Sequence, residues 1–208
     1  MRVAAFVIGT VVLLLQNAAS ALTIAVDLER LQDAAGASMP VAGLVVLTAA
    51  ASGTFYGPTP TAFAGGDELV LKKWDLSSWN QAGVIQDNAT NLTLTGTWGV
   101  GDPLRVYWYP TLALSSTVPG TGTAYGSYRD AAGLDGSDPW LTPANGASIA
   151  LKFFTGDATF LQVGGSNPSS AGLANLKVVP EPSTPALEAI ALAAASFARP
   201  RRRSAVQG

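Results

Sequence analysis

The sequence predicts an all-β fold, a single antiparallel β-sandwich with a β-barrel as the alternative architecture. An N-terminal signal helix and a short C-terminal apolar helix frame it. Three observations point there. Short runs rich in β-branched and aromatic residues recur along residues 22–178. Gly, Pro, Asn and Asp cluster between those runs, as tight turns require. No apolar period of helical spacing reaches core length in the same stretch, and no repeat of about 20–50 residues suggests a propeller or solenoid.

The first run is Thr23–Leu28, partly alternating. A Gly- and Pro-containing stretch, Leu31–Pro40, leads into a second run over Gly43–Thr48, so the pair reads as strand, turn, strand. Glu29–Ala35 also contains good helix formers, and a short helix there is the competing reading. Gly53–Gly66 is dense in Gly, Pro and Thr, with Phe55 and Tyr56 expected to pack on the domain. Glu68–Asp75 reads as a strand with imperfect alternation. Asn91–Trp98 alternates better, with Leu92, Leu94 and Trp98 on one face, threonines on the other and Gly96 as a gap. After the turn Gly99–Pro103 comes Leu104–Tyr109, ended by Pro110, and these two runs predict a hairpin. Ser115–Gly146 reads mostly as loop, anchored by Tyr125, Tyr128 and Trp140. Ser148–Thr155 is expected as a core strand, followed by Thr159–Val163 and Leu173–Val179.

The ends of the chain have a different character. Arg2 is a short positive region, Val3–Leu15 is apolar apart from Gly9 and Thr10, and Ala19-Ser20-Ala21 places small residues at both positions that a signal peptidase tests. Residues 1–21 therefore read as a signal peptide, cleaved after Ala21. The apolar run is shorter than the ~20 residues of a spanning helix.

At the other end, Val179-Pro180-Glu181-Pro182-Ser183-Thr184 precedes an alanine-rich stretch from Ala186 to Ala198 and the basic residues Arg199, Arg201, Arg202 and Arg203. A polar motif, an apolar segment and a basic cluster in this order resemble the PEP-CTERM sorting signal of exported bacterial proteins. The resemblance implies processing by a membrane-embedded exosortase-type enzyme, transient residence in the inner membrane, and delivery to the cell envelope or the extracellular space. It implies an address and no activity.

Two features depart from the usual tail. As a helix, Ala186–Ala198 would span roughly 20 Å at about 1.5 Å per residue, against a hydrocarbon core of ~30 Å. Glu188 sits inside that run and Pro200 divides the arginines, so anchoring should be weak. The arginines fix the tail's end on the cytoplasmic side. The body, residues 22–178, also resembles a type recurring among PEP-CTERM proteins of uncharacterised function. That likeness rests on Leu31-Gln32-Asp33, Phe63–Glu68, Gly99–Pro103 with Tyr107–Pro110, and Ala124–Asp130. It implies a shared β scaffold.

Composition narrows the chemistry. The chain has no cysteine and no histidine. Thiol chemistry, zinc–thiolate sites and the imidazole-based triads are thereby excluded. Between the two addresses the charge is acidic and no basic stripe exists, so nucleic acid is not an expected partner. Cofactors are not expected.

Three groups of residues are candidate sites. Asp130, Asp135 and Asp138 share one Gly-containing loop and offer hard oxygen ligands for calcium, although Asp-Gly and Asp-Pro are also ordinary turn pairs. Trp74, Trp79, Trp98, Trp108 and Trp140, with Tyr107 and Tyr109, could form an aromatic sugar platform or simply the core. On Leu104–Tyr109, Trp108 must point opposite to its two tyrosine neighbours. Asp67, Glu68 and Asp75 are the carboxylates of interest for glycoside hydrolysis.

The sequence thus favours an exported, non-catalytic envelope or extracellular-matrix protein associated with exopolysaccharide or biofilm. Its partners are signal peptidase and an exosortase-type enzyme. A carbohydrate-binding module is the alternative, and a carboxylate-dependent glycosidase the third reading.

Overall fold

The structure, a computed structural model, describes residues 21–133, 138–153 and 172–178. These residues are all-β. Eight strands occur among them: β1 Leu22–Leu28, β2 Leu44–Ala50, β3 Glu68–Trp74, β4 Ile85–Leu92, β5 Leu104–Tyr109, β6 Ala124–Tyr128, β7 Ser148–Phe153 and β8 Leu176–Lys177. They form two open sheets, ordered β4-β1-β7 and β3-β2-β5-β6-β8, and do not close into a barrel. Among the described residues no helix is long and apolar enough to cross a membrane. Glu29–Ala35 is coil, bridge and turn. The Asp33 carboxylate accepts the amides of Ala35 and Ala37 at 2.8 and 2.9 Å, which offers this stretch an alternative to helix.

The strand patterns decide the layering. β1 alternates buried and half-buried residues along its whole length, so one face meets the core. β2 is buried at every position, as a central strand covered on both faces must be. One apolar cluster joins the sheets. Leu22, Ile24, Val26 and Leu28 of β1 and Leu151 and Phe153 of β7 share it with Val45, Leu47 and Ala49 of β2 and Val106 and Trp108 of β5. The Phe153 ring lies 4.1 Å from Tyr128 and 5.9 Å from Trp108, and Trp140 meets Tyr128 edge-on at 5.3 Å. Each such ring contributes on the order of 2–3 kcal/mol by leaving water. A smaller cluster of Leu44, Val46, Phe63, Tyr107 and Tyr109 lies on the outer face of the larger sheet.

The pairing differs from the sequence expectation in three ways. First, β1 and β7 run parallel, with Thr23 opposite Ser148 and Leu28 opposite Phe153, so the fold is not wholly antiparallel. Second, β1 and β2 do not form a hairpin. β1 pairs with β4 and β7, β2 pairs with β3 and β5, and the connection passes from one sheet to the other. Third, the hairpin expected between Asn91–Trp98 and Leu104–Tyr109 is absent. Asn91 and Gly96 have φ of 59° and 82°, left-handed values that break an extended run. The β5 edges are taken by β2 and β6. The facing of Asn91–Trp98 is nevertheless as read, since Leu92, Leu94 and Trp98 pack on the core while the threonines are exposed.

β4 and β6 were not expected as strands. β4 is polar, with only Ile85 and Ala89 buried, because it is an edge strand of the smaller sheet. The strand expected over Ser148–Thr155 is β7, ending at Phe153 within the described residues. Of the expected strand Leu173–Val179, the described residues 173–178 form strand at Leu176–Lys177, while Leu173 forms an isolated bridge with Gln32 and Val179 lies outside the described residues. The run Thr159–Val163 lies outside the described residues.

Candidate functional site

The outer face of the larger sheet carries the densest group of polar and aromatic side chains. Alternation on β5 sends Trp108 into the core between the sheets and Arg105, Tyr107 and Tyr109 to the opposite face. Glu68 and Lys73 join them from β3, and Tyr125 and Arg129 from β6 and the residue after it. The Gly- and Pro-rich strap over residues 53–66 covers part of this face.

Two acidic residues fasten the strap. At its base, Asp67 accepts the Ser52 amide at 2.6 Å and the Ser52 hydroxyl at 3.0 Å. These bonds favour the ionised carboxyl and hold Asp67 below the usual carboxylate range. Glu68 accepts the Gly57 amide at 2.5 Å with one oxygen and the Tyr107 hydroxyl at 2.8 Å with the other. Phe63 then meets Tyr109 edge-on at 5.4 Å, and Tyr125 packs against both Tyr107 and Tyr109. The Lys73 ammonium sits 4.0 Å above the Phe63 ring and donates to the Ser116 carbonyl at 3.0 Å, and burial lowers its pKa.

Burial raises the pKa of Tyr107, Tyr109 and Tyr125. The negative charge of Glu68 adds to the effect on all three, while Arg105 opposes it at Tyr107 and Tyr125. The Tyr109 hydroxyl and the Nε atoms of Arg105 and Arg129 are buried without a hydrogen-bond partner. Both guanidiniums lie against one ring, at 4.3 Å (Arg105) and 5.6 Å (Arg129) from the centre of Phe55. Tyr56, the next residue, is 65% exposed.

The candidates read from the sequence are placed as follows. Trp74, Trp98, Trp108 and Trp140 are buried core residues, and only Trp79 is exposed, at 51%. Tyr107 and Tyr109 share a face, as expected, but that face is buried beneath the strap. The five tryptophans therefore build no common platform.

Asp130 is buried, and one carboxylate oxygen accepts the amides of Ala132 and Gly133 at 3.0 and 2.7 Å, which is turn chemistry. Asp138 is exposed, and Asp135 lies outside the described residues. Among the described residues no group of three His, Cys, Asp or Glu could hold a metal ion.

Asp67 and Glu68 point to different partners. Asp75 accepts the amide and hydroxyl of Ser77, so each of these three carboxylates anchors a loop. Ala21 is exposed and β1 begins at the next residue. Ala19, the 179–184 motif and Arg199, Arg201, Arg202 and Arg203 lie outside the described residues.

The grouping of Phe55 with Arg105 and Arg129 was missed in the sequence. Arg105, Tyr107 and Tyr109 at alternate positions were a readable signal for one shared face. The fold of the strap, which brings Phe55 beneath Arg105, was not readable. No family model, curated protein or solved structure matches this chain.

Proposed function

We propose that this chain is an exported, non-catalytic protein of the cell envelope or extracellular matrix. Its two sheets form a β-sandwich that serves as a structural or adhesive module. The observation that carries this reading is the order of segments along the chain: an apolar leader ending in Ala19-Ser20-Ala21, a cysteine-free β body, then Pro180-Glu181-Pro182, an alanine-rich run and a basic cluster. The prolines keep the motif out of any helix and accessible. The alanine-rich segment holds it at the inner membrane and the arginines stop translocation. Cleavage near Pro180-Glu181-Pro182 then releases the body.

The engagement of Asp67, Glu68, Asp75 and Asp130 in loop hydrogen bonds supports a structural role for the body. The test is fractionation of cells that carry an exosortase-type enzyme. Replacing Pro180-Glu181-Pro182 with alanines should leave the protein membrane-attached, and Glu188→Leu should increase retention by removing a charge from the apolar segment. An unchanged distribution in both variants would sink the proposal.

A second reading, a carbohydrate-binding module, is favoured by one observation: Tyr56 presents an exposed ring and follows Phe55, whose own ring lies against two arginines.

A further inference from the structure

Arg105 lies on β5 and Arg129 directly follows β6, each one residue beyond the paired Val106 and Tyr128. Both guanidiniums lie against Phe55. Two like charges so placed repel each other, and Arg105 lowers the pKa of Arg129 in addition to the effect of burial. Such a pair is ordinarily offset by a carboxylate. Among the described residues neither arginine makes an ion pair. Glu68, the acidic residue on this face, commits both oxygens to Gly57 and Tyr107.

Tyr56 is held in place despite its exposure. Its ring packs on Gly66, where a Cβ would lie 2.3 Å from the ring's Cδ2 atom. At Gly65 a Cβ would meet the Tyr56 Cβ at 3.3 Å. Gly66 has φ of 59°, a second reason for glycine there. The Ser52–Asp67 and Gly57–Glu68 bonds fix the strap on either side. The exposed ring is therefore ordered before any ligand arrives, which lowers the entropic cost of binding.

We propose that Arg105, Arg129 and Tyr56 form a site for an acidic polysaccharide, with a sugar carboxylate on the guanidinium pair and a sugar ring on the Tyr56 face. Guanidiniums match the planar two-oxygen geometry of a carboxylate. A rigid aromatic ring offers an apolar face to the C–H face of a pyranose. Arg105 and Arg129 are cations in an otherwise acidic body, so a polyanion is held here by a carboxylate and a sugar ring together and not by its charge alone. The proposal deepens the carbohydrate-binding reading and is independent of how the tail is processed, so its failure would leave the export reading standing.

The test is affinity electrophoresis and calorimetry of the purified full chain with polygalacturonate, neutral dextran and polyglutamate. Retardation by polygalacturonate alone is expected. The double variant R105Q/R129Q should weaken that binding about tenfold or more, and Y56A should weaken it without changing its salt dependence. Should R105Q/R129Q fail to fold, competition on the unsubstituted protein decides: galacturonate should displace the polymer and glucose should not. Absence of binding to polygalacturonate, equal binding to polyglutamate, or binding unchanged in both variants would overturn the proposal.

Discussion

Gly126 lies directly opposite Trp108 in the β5–β6 ladder, and the Trp108 indole occupies the space that a Cβ at position 126 would need. The close approach lets the indole lie flat over the neighbouring strand and reach Gln32, whose carbonyl accepts from Trp108 Nε1 at 3.2 Å. A glycine within a strand usually weakens it, and here it makes room for a fully buried tryptophan.

Gly126→Ala should therefore destabilise the domain by about 3 kcal/mol, since the clash is with a rigid ring and not a flexible chain end. Urea denaturation would show a lower midpoint with an unchanged slope. Adding Trp108→Leu should recover part of the loss, so that the two changes are less than additive.

Phe153 and Leu94 should separate clearly. Phe153 is fully buried against Trp108 and Tyr128, and Phe153→Ala should cost about 3–5 kcal/mol. Leu94 packs on the core from a partly exposed position, and Leu94→Ala should cost about 1 kcal/mol. Chemical denaturation of both variants checks the ratio. Equal losses would contradict the placement of Leu94 at the rim of the core.

Alkaline pH should unfold the domain through its buried phenols. Tyr107, Tyr109 and Tyr125 have folded pKa values raised above the unfolded value of about 10. Such a group contributes stability that is complete below the unfolded pKa and is lost as pH rises beyond it. Above pH ~10 the stability should fall by as much as ~1.4 kcal/mol per pH unit for each of these phenols. Tyrosinate absorbance and circular dichroism should then change together as the chain unfolds. Full ionisation with a native spectrum would contradict the burial of this face.

The strap should open when its clasp is removed. Asp67→Asn weakens both bonds to Ser52, so the Ser52 amide should exchange faster and residues 53–66 should become accessible to protease. Because the folded pKa of Asp67 is lowered, the clasp is complete above the unfolded carboxylate value and weakens as pH falls through the folded one. Proteolysis of the unsubstituted protein should accelerate in the same acid range.

The sequence made the strand faces legible where alternation was clean. Trp108 opposed to Tyr107 and Tyr109, and Leu92, Leu94 and Trp98 facing inward, follow from period two alone. Partnership was not legible, because it depends on which edges remain free. Gly96 looked like a gap in a strand, yet β4 already ends at Leu92 and Gly96 has a left-handed φ. Ile85–Thr90 drew no strand reading, because an edge strand needs few apolar residues. The parallel pairing of β1 with β7 joins segments more than a hundred residues apart, and nothing local announces it. The arginine pair was hidden for a similar reason. Arg105 and Arg129 become neighbours only when β5 and β6 pair, and Phe55 meets them only through the strap.

The central claim is export followed by removal of both terminal segments, and intact-mass analysis of protein released by a host with the matching processing enzyme tests it most directly. The account predicts a species that begins at Leu22, the first residue of β1, and ends close to Pro180-Glu181-Pro182. A released species that begins at Met1 and still carries Arg199–Arg203 would contradict it.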